Sequence, residues 1–145
     1  MNLEDYLNNA WLTVHSTSKC EISGLMGIVD RNLNDIKSDI SYDSKFVIAY
    51  NAALTLCTII LYAKGYKASR DQHHFRTIQT LPMIMGDSKR NDAEYLNTCR
   101  SKRNTLDYDY AGAVSKQEVD DLSNFVNLLK KEVIEWLTLN YPEYV

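Results

Sequence analysis

The sequence predicts an all-α protein, an antiparallel up-and-down four-helix bundle with a short cross-helix and an extra N-terminal helix. Three observations carry this. Apolar residues recur at spacings of three and four along most of the 145 residues, the period of a helix face turned toward a core. Only two prolines and five glycines interrupt the chain, so long helices meet few breakers. Phe46 to Ala63 holds no charged residue, and a helix apolar on every side has to be surrounded by others. The length fits a single domain over residues 1–145, with a bundle core at about residues 21–140.

The elements follow in order. Leu3, Leu7, Ala10, Trp11 and Val14 lie on one face of an expected first helix over residues 3–14. His15 to Ser18 read as a loop, with His15 an ordinary loop histidine. Ile22, Leu25, Val29, Leu33, Ile36 and Ile40 mark a second helix over 21–40. Gly24 and Gly27 in that helix each cost about 1 kcal/mol against alanine, so a close helix–helix contact, also between subunits, is one expectation for them and simple tolerance the other. Asp43 or Ser44 is the expected cap of the apolar helix 45–64, which Gly65 stops. Residues 66–71 read as a polar connection. A short helix follows from Gln72, and Pro82 is expected to break or kink it. The next helix, about 89–107, is capped by Asp87 or Ser88. Its inward stripe is read as Asp92, Tyr95 or Leu96, Cys99, Arg103 and Leu106. Ser115 and Glu118 form a capping box for a last helix over 116–140, where Val119, Leu122, Val126, Leu129, Val133 and Trp136 repeat at helical spacing. No strand pattern and no internal repeat are evident.

A net charge of −3 excludes an overall polycation but leaves room for a local basic face. Residues 65–110 carry eight cations and six acids, whereas both flanking segments are net acidic. Three scattered cysteines, Cys20, Cys57 and Cys99, predict reduced thiols in an intracellular, cytoplasmic setting. No Cys or His spacing predicts a zinc site, and His73-His74 lacks accompanying ligands, so neither metal nor cofactor is expected. The N-terminus is acidic and polar and does not read as a signal peptide. The apolar stretch 46–63 reaches the length of a membrane span. Asn51, Thr55 and Thr58 inside it, with no second such segment, assign it to the core of a protein without a membrane partner.

Most of the chemistry lies in Cys99-Arg100-Ser101-Lys102-Arg103-Asn104-Thr105-Leu106-Asp107-Tyr108-Asp109-Tyr110. Within it, Arg103-Asn104 followed by Tyr108 and Tyr110 resembles the motif of the HEPN superfamily of small helical bundles: Arg, a polar residue, three further residues, His, one residue, Tyr. Arg103, Asn104 and Tyr110 match, and Tyr108 stands at the histidine. The order of helices over about 21–140 is similar as well. The resemblance implies a homodimer with both motifs facing one cleft. It also implies RNA or nucleotide as ligand, and a place in toxin–antitoxin or defence systems, often beside a minimal nucleotidyltransferase acting as antitoxin. Active members cleave RNA without metal. By this resemblance Arg103, Asn104 and Tyr108 are the candidate catalytic residues, and Tyr110 corresponds to a tyrosine that partner enzymes modify with nucleotide.

Tyr108 departs from the motif where it matters. Cleavage by a 2′-hydroxyl needs a base, an acid and charge stabilisation. Histidine titrates near neutrality and serves both proton roles, whereas a phenol with a pKa near ~10 is a poor base at pH 7. A catalytically degenerate RNA- or nucleotide-binding protein is therefore the leading expectation. Arg70, His73, His74, Arg76, Arg100 and Lys102 are the candidate nucleic-acid-binding residues. A metal-independent endoribonuclease using Arg103 with Tyr108, or with His73 and His74, is the second expectation. The third is a pure protein-interaction module. In that reading Arg103 pairs with Asp107 four residues on, Arg100 and Lys102 are a solvated face, and the tyrosine hydroxyls cap the bundle end.

Overall fold

A computed structural model of the chain describes residues 1–106 and 113–145. The helices are α1 (Leu3–Asn8), α2 (Lys19–Asp35), α3 (Tyr42–Ala63), α4 (His73–Met85), α5 (Arg90–Leu106) and α6 (Lys116–Asn140). Two short strands, β1 (Leu12–Val14) and β2 (Tyr66–Ala68), pair antiparallel with Leu12 opposite Ala68. The protein is an all-α helical bundle.

α3 is its central post. Ala49, Tyr50, Ala52, Ala53, Leu56, Cys57, Ile59 and Ile60 are all fully buried, and α3 packs against α2, α4, α5 and α6. Among the described residues it is the one helix long and apolar enough to cross a membrane. Its burial inside the bundle accounts for that composition. Thr55 and Thr58 return their hydroxyls to the carbonyls of Asn51 and Leu54, four residues back, which satisfies them within an apolar setting.

Side-chain pairs set the helix directions. Lys102 meets Glu118, Tyr95 meets Phe125 and Lys89 meets Glu132, so α5 and α6 run antiparallel. Ile22 lies near Leu137, and Ile36 near Val119, so α2 is also antiparallel to α6. Tyr42 lies near Lys116, so α3 and α6 start at the same end. α2, α3, α5 and α6 therefore alternate up and down, with α4 laid against α3 and α5.

Several local expectations are corrected. The first helix stops at Asn8 rather than Val14, because Ala10 turns left-handed (φ 60°). The residues beyond it form β1, whose Leu12 is buried in a small second cluster with Tyr6 and Leu61. The connection 66–71 contains β2, so a strand pair exists that no alternation announced. α2 ends at Asp35. Ser41, and not Asp43 or Ser44, caps α3. The Asp43 carboxylate instead accepts from the Val114 backbone N–H at 3.1 Å. Pro82 does not break α4, which runs to Met85 and stops at Gly86 (φ 105°). The proline removes one backbone bond in the last turn. Gly86 N–H still reaches the Pro82 carbonyl at 2.9 Å, and buried Leu81 and Ile78 hold the helix to the core. A methyl added at Gly24 or Gly27 would meet nothing within 4 Å, so neither glycine serves a close contact inside the chain. The Ser115–Glu118 capping box is present, with both reciprocal bonds at 3.1 Å.

Candidate functional site

α4 and α5 build a shallow groove. His73, His74 and Phe75 come from the first turn of α4, and Gln72 precedes them. Arg100 and Asn104 come from consecutive turns of α5. Four residues apart on a helix, Arg100 and Asn104 share one face. The groove encloses ≈ 180 Å³. Arg103 lies beside it, near enough to act electrostatically on both His74 and Tyr50. Gln72 adopts a left-handed conformation (φ 53°) and gives α4 no side-chain cap.

The groove's side chains are individually placed. Arg100 Nε donates to Asn97 Oδ1 at 3.0 Å, and its guanidinium lies 5.5 Å from the Phe75 ring centre. Arg103 donates to Asn104 Oδ1 at 3.4 Å. The two imidazoles are 4.7 Å apart, edge to face. His74 Nδ1 lies 3.3 Å from the Tyr50 hydroxyl, and Tyr50 itself is fully buried in α3. Burial lowers the His74 pKa to about 4, and the positive fields of His73, Arg103 and Arg100 push the same way. His74 is therefore neutral at pH 7. Burial likewise holds the Tyr50 phenol well above its ordinary range.

Sequence-predicted residues thus divide. His73, His74, Arg100 and Asn104 come together, with Arg103 next to them. Lys102 turns to Glu118 on α6 and holds that carboxyl below its usual range. Arg76 lies over the Trp11 ring, 3.6 Å from its centre, with Phe75 at 5.3 Å and Tyr6 at 5.8 Å. That cation–π contact ties the N-terminal α1–β1 unit to α4. Arg70 is exposed in the loop before α4. Tyr108 and Tyr110 lie outside the described residues, as does Asp107, the expected partner of Arg103. Of the expected inward stripe on α5, Leu96 and Cys99 are buried and Ala93 joins them, whereas Arg103 is half-buried beside the groove. Burial raises the Cys99 thiol to about 11 and the Cys57 thiol to about 12, so both are inert.

Two contributors escaped the sequence reading, Phe75 and Tyr50. A tyrosine inside a charge-free core helix is itself a signal, because a buried hydroxyl needs a partner. Among the described residues no three His, Cys, Asp or Glu side chains are grouped to hold a metal ion. No family model matches the chain, and no curated protein or solved structure matches it either.

Proposed function

We propose that this chain is a HEPN-like cytoplasmic protein that binds RNA or nucleotide as a homodimer through the groove of Arg100, Asn104, His73 and His74, with Arg103 alongside. One observation carries the reading. His73 and His74 on one side and Arg100 and Asn104 on the other, about a fifth of the chain apart and all with donors suited to phosphate or base edges, converge on one concave surface. Guanidinium groups match phosphate oxygens in charge and in planar geometry. Phe75 and the imidazoles add ring faces on which a base can stack. The low basicity of His74 favours binding over cleavage, since an efficient acid–base group titrates near the working pH. A toxin–antitoxin or defence role, with a minimal nucleotidyltransferase as partner, belongs to the same proposal and rests on the motif resemblance alone.

The test is a single gel. Wild type and Arg103→Ala are incubated in EDTA with labelled single-stranded and structured RNA, and cleavage and retention are scored together. Retention without cleavage, lost in the variant, is expected. Equal retention by both proteins overturns the reading. The nearness of two imidazoles to two arginines favours a second reading, a metal-independent endoribonuclease, and cleavage by wild type alone would establish it.

A further inference from the structure

The buried hydroxyl of Tyr50 fixes more than a hydrogen bond. A phenol kept neutral by burial retains its proton, and a buried O–H needs an acceptor. His74 Nδ1 lies 3.3 Å away. A neutral imidazole has one acceptor nitrogen and one N–H. With Nδ1 accepting from Tyr50, the ring proton resides on Nε2. The Nδ1 edge of the ring faces the core, and the ring itself lines the groove, so Nε2 is the nitrogen left for a ligand.

We propose that Tyr50 is a positioning residue that locks His74 as its Nε2–H form, so that His74 meets a phosphate oxygen as a neutral donor beside Arg100 and Arg103 and takes no part in proton transfer. The ligand rests on the RNA-binding reading above, whereas the state of His74 stands independently of it. The only lone pair on the neutral ring points at Tyr50, away from any 2′-hydroxyl in the groove. Among the described residues, the charged and titratable groups acting on the ring from the surrounding elements are Tyr50 on α3, His73 on α4, and Arg100 and Arg103 on α5. None is an acid that would draw a second proton onto it. The charged oxygens of a phosphodiester only accept hydrogen bonds, and an Nε2–H and two guanidinium groups supply the donors.

Proton–nitrogen correlation spectra of protein labelled at histidine nitrogen test this directly. In wild type, His74 is expected as the Nε2–H form with unchanged shifts from about pH 5.5 to about pH 8, a range across which an unperturbed histidine titrates. In Tyr50→Phe, Nδ1 loses its donor. His74 should then show mixed tautomers yet stay untitrated across that window, because the burial and the neighbouring cations that lower its pKa remain, whereas loss of packing would bring titration into the window. An Nδ1–H form in wild type, or titration of His74 within the window, overturns the proposal. Short single-stranded RNA and inorganic phosphate are then added separately. A shift of the His74 Nε2–H signal with RNA is expected, and a matching shift with phosphate identifies the phosphate oxygen as the contact. RNA retained on a gel without any His74 shift overturns His74 as the donor but leaves the binding reading intact. No retention, with the Nε2–H form present and no phosphate shift, overturns the binding reading and the ligand role together.

Discussion

Replacing both Arg100 and Arg103 with alanine removes the two guanidinium groups at the groove, and the structure sets the size of the effect. Of the cations named from sequence, Lys102 is paired with Glu118 and Arg76 is seated on Trp11. No carboxylate among the described residues pairs with Arg100 or Arg103. On the proposed RNA-binding reading, two phosphate contacts per groove are expected. For single strands each contact contributes roughly −0.7 to the slope of log affinity against log salt, so one groove gives about −1.4. Raising salt from about 50 to about 200 mM then weakens binding about 7-fold. A dimer that lays both grooves on one strand doubles the slope to about −2.8 and the loss to about 50-fold. The assay is fluorescence anisotropy of a labelled single-stranded RNA across a salt series, with wild type and the double variant in parallel. The double variant should flatten the slope by about 1.4 per groove. An identical slope in both proteins would refute the assignment of phosphate contacts to these arginines, and the wild-type slope reads out whether one groove or two engage.

Three further outcomes follow from the geometry. Leu56→Ala opens a cavity in the fully buried face of α3 and should cost about 2.7–5 kcal/mol in chemical denaturation; a loss under about 1 kcal/mol would deny α3 its central role. Arg76→Ala removes the guanidinium from Trp11 and should cost about 1–2 kcal/mol, with a change in tryptophan emission. Unchanged stability together with lost RNA binding would return Arg76 to the nucleic-acid interface. Stability should also fall as pH drops from 6.5 toward about 4 through His74. Across that window the unfolded chain binds the His74 proton and the folded protein refuses it, so acid favours unfolding. Denaturation midpoints at several pH values should show a shallower acid limb in His74→Gln than in wild type, and parallel limbs would remove His74 as a cause.

Some elements were legible from local sequence because their causes are local. α6 carries its whole warrant within residues 115–140: a Ser115–Glu118 capping box, then an apolar stripe from Val119 to Val133 that the structure buries. α3 announced itself by an uninterrupted apolar run, and only a bundle core accommodates a helix of that kind. Helix hydrogen bonds span four residues, so propensity, caps and periodicity suffice to place most of them. They suffice less well at ends: Ala10 and Asp35 each moved a boundary, and the break expected at Pro82 did not occur.

Tertiary structure decided the rest. β1 and β2 are three residues each and pair across more than fifty residues of chain. No alternation that short is visible in sequence, and Leu12 of β1 packs against Leu61 and Tyr6. The site follows the same division. The cations and histidines were visible as residue types, but which of them meet was not. Arg100 and Arg103 lie at the groove whereas Lys102 and Arg76 are drawn to Glu118 and Trp11, and both of those partners come from another part of the chain. Tyr50 and His74 are twenty-four residues apart and on different helices. Sequence determined that this chain is a helical bundle built around a buried α3. The chemistry of its groove depends on which side chains neighbouring helices bring within hydrogen-bond reach, and only packing of the whole chain sets that.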